Sequence, residues 1–162
     1  KRQHELKGAN DWRLDRATTS YLRFLELGGE IDMRPLERKL IKQHIIAKVP
    51  ILAGLSATFL YQEPRERPHP PNEFGISGIP DDVGGQPVGH FVVLSGYDEE
   101  RDCVRISDPS HPNPRFPASQ YWFPLDQLAS AILLGIVTYD ANLLVVEPAN
   151  QPTSTKQEMV TK

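Results

Sequence analysis

His90 and Asp108 are the residues whose types and spacing in this chain could perform nucleophilic chemistry. His90 stands near the start of the run Gly89-His90-Phe91-Val92-Val93-Leu94-Ser95-Gly96-Tyr97. Asp108 closes Cys103-Val104-Arg105-Ile106-Ser107-Asp108, just ahead of Pro109. Val, Phe, Leu and Tyr favour a pleated, half-buried surface, so both runs read as strands. Asp98-Glu99-Glu100-Arg101-Asp102 is too polar to be other than the turn that joins them in a hairpin. Folding the chain about residue 100 sets Tyr97 against Cys103 and Val92 against Asp108. His90 then has the parity of Asp108's partner, and both side chains leave one face as diagonal neighbours, ~7–8 Å apart. Centring the turn on residue 99 would place them directly opposite. A carboxylate that accepts the Nδ1–H of a histidine fixes its tautomer and leaves Nε2 to take a proton from a thiol or hydroxyl. The competing reading is structural: His90 begins a strand and Asp108 caps a turn.

Such a pair needs a nucleophile, and the sequence contains one cysteine, Cys103. At ~3.3 Å per residue it lies about 16 Å from Asp108 along its own strand, and parity turns it to the other face. Cys103 is therefore not expected to be the nucleophile. Ser56 follows Gly54-Leu55, but the surroundings are not G-x-S-x-G and no strand-to-helix elbow is indicated. His111 could join His90 and Asp108 as metal ligands by type alone. Without a helical histidine pair or cysteine ligands, no metal is expected, and His111 reads as a surface turn residue. His4, His44 and His69 read as solvated. Trp12, Tyr121, Trp122 and Phe123 read as core packing, because no basic stripe accompanies them as in a nucleic-acid platform. No phosphate-cradling glycine loop is present, and no cofactor is expected.

The elements that must position the pair can be read in outline. Leu14, Ala17, Tyr21, Leu22 and Leu25 predict a helix from Asp11 to Leu27, capped by Asp11 and ended by Gly28-Gly29. Pro35 suits a first helical turn, and Leu36, Leu40, Ile41 and Ile45 predict a second helix to about Lys48. Val49 to Leu55 reads as a buried strand covered on both faces. Gln120 to Phe123 reads as a short strand, Leu125 to Leu134 as a helix, and Asn142 to Val146 as a closing strand. Helices first and paired strands after predict an α+β fold, with helices on an antiparallel sheet. Glu63 to Val88 is rich in Pro and Gly and ends at Gly89-His90. It reads either as a lid over the site or as plain irregular surface chain.

With 162 residues the chain suits one domain. Its net charge of −3 and pI near 6.0 give no general attraction to nucleic acid or to an anionic membrane, and neither is an expected partner. No apolar run approaches the ~20 residues of a membrane helix, and no signal peptide is visible. A single cysteine fits a reducing, cytoplasmic compartment. Beginning at Lys1 without methionine, the sequence reads as a fragment or a processed product.

The layout Val49-Pro50-Ile51-Leu52-Ala53, long loop, Gly89-His90-Phe91-Val92-Val93-Leu94-Ser95-Gly96-Tyr97-Asp98, then Val104-Arg105-Ile106-Ser107-Asp108-Pro109 resembles the papain-like cysteine peptidases of the bacteriocin-processing type. It looks most like their broader C-thirty-nine-like relatives, over about Asp11 to Pro148. The resemblance implies a papain-like α+β architecture and a bacterial thiol-protease type of hydrolase. It makes His90 the general base and Asp108 the residue that orients it. It also implies a nucleophilic cysteine on a helix near the start of the domain, with an oxyanion-hole glutamine just ahead, and this chain has neither in that place. The expectation is a peptidase-like domain over residues 1–148, incomplete at its N-terminal side and inactive alone, with 149–162 a flexible tail or linker. Its partners would be a peptide or amide substrate and an upstream cysteine-bearing segment or a second copy of the chain. The absent helix would leave apolar surface near Phe91, Val93 and the 63–88 loop, either open or covered by another chain. The alternatives are a degenerate, non-catalytic module that binds an extended peptide or partner domain, and a purely structural or regulatory domain.

Overall fold

The computed structural model describes residues 12–70, 78–138 and 141–147, together with Arg2 and Glu5. The expected cap at Asp11 and the tail beyond Glu147 lie outside the described residues. Helix α1 spans Trp12–Glu26. It ends where expected, because Gly28 takes a left-handed φ of 88° and the Gly28 and Gly29 amides donate back to Leu25 and Phe24. Helix α2 is Arg38–Ile46, shorter than the spacing from Pro35 suggests. Glu37 is extended, with ψ 146°, so the helix cannot reach back to Pro35. Leu36 and Ile41 instead occupy the two positions of a hydrophobic staple, and both belong to the core packing.

Five strands form one antiparallel sheet: β1 (Ile51–Ser56), β4 (Gly89–Asp98), β5 (Cys103–Ser107), β6 (Gln120–Pro124) and β7 (Leu143–Val145), in the order β6-β5-β4-β1-β7. Helix α3 (Ala57–Tyr61) follows β1 directly, and α4 (Leu125–Leu134) follows β6 and crosses back to β1. Ile51, Ala53 and Leu55 of β1, Val92 and Leu94 of β4, and Val104 and Ile106 of β5 are fully buried on one face. They pack with Ile41 and Ile45 of α2 and with Leu128 and Ala131 of α4 in a single apolar cluster. The other face is only partly covered: Phe91 and Trp122 are exposed, and Leu52 and Val93 half-buried. Coverage of β1 on both faces is therefore incomplete. Of the four aromatics expected in the core, Phe123 is buried and Tyr121 half-buried, while Trp12 and Trp122 are exposed. Strand parity explains Trp122, whose neighbours Tyr121 and Phe123 take the core side.

The β4–β5 hairpin contains an irregularity that places the site. At its turn end Asp98 pairs with Cys103 and Tyr97 with Val104, one step away from the expected register. Beyond it Leu94 pairs with Ile106 and Val93 with Ser107, the register expected for that end of the hairpin. Ser95 is the extra residue between the two registers, a β-bulge. Because of it, Tyr97 and Leu94 both face the core although their parities differ, and His90 shares the face of Asp108. Carried through without the bulge, the turn-end register would put His90 on the opposite face.

The 63–88 segment is not wholly irregular. Strands β2 (Glu66–Pro68) and β3 (Gly78–Pro80) form a small ribbon, and Glu66 also bridges to Gln86. Asp81 accepts the amides of Val83 and Gly84 and is held below the usual carboxylate range by those bonds. A Cβ on Gly85 would lie 2.2 Å from the Asp81 carbonyl oxygen, so the tight return needs glycine here. The segment's end is tied to α3: Ala57 donates to the Val88 carbonyl, and the Val88 amide donates to Thr58 Oγ1. These bonds fix the approach of the chain to His90.

Candidate active site

His90 lies opposite Leu55 of β1, and its Nε2 is 2.9 Å from Asp108 Oδ1. The structure thus brings the two expected residues together, but through the other ring nitrogen. Nε2, not Nδ1, meets the carboxylate, so with the bond donated by Nε2–H the proton-accepting nitrogen is Nδ1. This reverses the expected tautomer, which depends on the side-chain rotamer and not on strand parity. Nδ1 has no hydrogen-bond partner among the described residues, and the His90 side chain keeps 22 % exposure.

The Asp108 carboxylate is shielded from solvent and saturated with donors. Oδ1 accepts the Ser110 amide at 2.9 Å, and Oδ2 accepts Asn113 Nδ2 at 3.1 Å and the Tyr121 hydroxyl at 2.6 Å. The Tyr61 hydroxyl reaches both oxygens, at 3.1 and 2.9 Å. Burial alone would push this carboxyl up. The bonds from Tyr121, His90, Ser110 and Tyr61 outweigh it and hold Asp108 below its ordinary value. The two phenols move the other way, because burial and the acceptor carboxylate both keep their protons on.

Each donor is delivered by a definite piece of chain. Ser56 caps α3 through the Phe59 amide, and the helix ends at Gln62 in a left-handed conformation, which sets Tyr61 over the site with its ring 5.7 Å from that of His90. Tyr121 lies opposite Ile106 on β6 and stacks on Phe116 at 3.7 Å. Asn113 accepts the amides of Arg115 and Phe116 in an Asx-type turn, leaving its NH2 for Asp108. Arg115 ties that loop to α3 by donating to the Leu60 carbonyl. The sequence reading did not single out Asn113, although an Asn-Pro dipeptide is a turn signal that could have marked it, and Tyr121 shares the parity of the core side. Nothing local marks Tyr61, which reaches Asp108 only through the packing of α3.

The other candidates fall away from this centre. Cys103 sits at the turn end of the hairpin, beside Asp98 and Pro124, with its thiol toward the Arg101 carbonyl. Ser56 does stand at a strand-to-helix junction, which the sequence did not suggest. Its side chain is the acceptor that caps α3, and it makes no hydrogen bond to His90. His111 is exposed. Among the described residues no helix is long and apolar enough to cross a membrane.

Helices packed on an antiparallel sheet, with a histidine near one strand's start and an aspartate just past the end of the next, define a papain-like α+β domain. The chain belongs to the Peptidase C39 like family, whose model matches residues 11–123. No curated protein and no solved structure gives a match.

The state of Asp108 makes a pH prediction. A carboxyl held below its unfolded value of ~3.9 contributes stability that is complete above that pH and is lost as pH falls through the lower, folded value. As pH falls below about 4, the difference in urea midpoint between the chain and Asp108→Asn should therefore shrink. A difference that instead grows below about pH 4 would show the opposite shift.

Proposed function

We propose that this chain supplies the base and its orienting carboxylate, His90 and Asp108, to a thiol-dependent centre that hydrolyses peptide or amide bonds. The observation that carries this reading is the 2.9 Å contact between His90 and a buried, fully bonded Asp108. In that arrangement Nδ1 takes the proton of a thiol, and the thiolate attacks the substrate carbonyl carbon. The imidazolium, stabilised by Asp108, then returns the proton to the leaving amine as the tetrahedral intermediate collapses to a thioester. Water, deprotonated by Nδ1, releases the acid and restores the thiol. The thiol is one outside this sequence, because Cys103 lies at the far end of the hairpin from Asp108.

The open Nδ1 favours one second reading, a non-catalytic module that uses His90 to hold an extended peptide. A thiol-directed alkylating probe applied to the whole protein separates the two. The catalytic reading expects labelling at a cysteine other than Cys103, inhibition of amide hydrolysis, and unaltered hydrolysis in Cys103→Ser. Labelling confined to Cys103, with activity lost in that variant, would overturn it. Peptide binding without any hydrolysis would favour the module.

A further inference from the structure

We propose that Tyr121 and Tyr61 are positioning residues that tune the basicity of His90 by occupying the lone pairs of Asp108. This deepens the reading of the same centre and rests on it only for its kinetic consequence. An ionised carboxylate has about four lone-pair sites. Here His90 Nε2, the Ser110 amide, Asn113 Nδ2 and the Tyr121 hydroxyl already make four contacts within 3.1 Å, and Tyr61 is shared between both oxygens. The shortest, Tyr121 at 2.6 Å, is a charge-assisted phenol–carboxylate bond on the oxygen that His90 does not use. Neither phenol ionises in the working range, so both remain donors.

Negative charge already spread into these donors attracts an imidazolium less strongly than a bare carboxylate would. The tyrosines therefore favour the neutral imidazole, the form that can accept a thiol proton, while keeping the ring in place. Among the described residues, the groups facing the pair are Tyr61 from α3, Tyr121 from β6, and Ser110 and Asn113 from the loop after β5. At longer range Glu63 acts on Tyr61 and Arg115 on Tyr121.

The test follows the His90 imidazole by NMR in the chain itself, using histidine labelled at Cε1 and the signal that disappears in His90→Gln. Tyr121→Phe keeps the ring that stacks on Phe116 and removes one donor, so the His90 midpoint should rise by about half a unit or more. Tyr61→Phe, which removes a longer and divided bond, should raise it less, and Asp108→Asn should lower it. If Tyr121→Phe does not fold, Tyr61→Phe decides. Midpoints unmoved or lowered in tyrosine variants with native strand signals overturn the proposal. In the whole protein the acid limb of kcat/KM should move up with the midpoint. The expected midpoints in a protein that hydrolyses nothing would sink the peptidase reading and leave this one standing.

Discussion

Asp108→Ala should lower the unfolding free energy by about 3–5 kcal/mol, the range for breaking a buried, hydrogen-bonded charge network by removing one partner. The substitution leaves two hydroxyls, an amide NH2, a backbone N–H and an imidazole around a site that no acceptor fills. Water can enter the space and recover part of the loss, which holds the cost well below the sum of the separate bonds. Domains of this size are stable by ~5–15 kcal/mol, so the variant should remain folded but with a visibly lower denaturant midpoint and an unchanged slope. Guanidinium titration followed by circular dichroism measures it. A loss under about 1 kcal/mol would mean that the donors find other acceptors and that Asp108 does not organise the loop after β5.

The same residue shows which parts of the fold a linear reading can reach. Residue type and parity were enough to place His90 and Asp108 on one face, because the period of a strand is two and a hairpin must close. They were not enough to place the turn. The expected pairing of Tyr97 with Cys103 is off by one, and the inner pairing is right because Ser95 bulges between Leu94 and Gly96. A bulge costs little and leaves no strong composition signal. Here the apolar side chains select it, since Tyr97 and Leu94 can both reach the core only if one residue is skipped.

Helix α4 was legible to the residue, from Leu125 to Leu134, because its apolar spacing is sustained over several turns. Helix α2 was overextended because Leu36 continues the apolar pattern while lying outside the helix, as a staple. The ribbon of β2 and β3 was missed because its two strands are three residues each, both ending in proline, and carry no alternation. At the site, the donors around Asp108 come from α3, β6 and the loop after β5, so only tertiary packing assembles them. The choice of Nε2 over Nδ1 lies further from the sequence still, because it is decided by one side-chain rotamer.

In the whole protein, His90→Ala should reduce kcat/KM for amide hydrolysis by at least ~10³-fold, since it removes both the thiol's base and the leaving group's acid. Asp108→Asn should also be severe, because an amide NH2 turned toward Nε2 would favour the tautomer that protonates Nδ1. Its effect should not exceed that of His90→Ala, and combining the two should cost little beyond the larger single loss, as for groups that act as one unit. Cys103→Ser should leave kcat/KM within about twofold, its thiol being at the other end of the hairpin. Single-turnover measurements with an activated ester sharpen the argument. A good leaving group needs no proton, so His90→Ala should recover part of its loss on the ester relative to the amide, whereas a variant that only loosens the fold would lose both equally. Equal losses on ester and amide, or losses that add in the double variant, would take His90 out of the proton path and leave the pair a structural feature of the sheet.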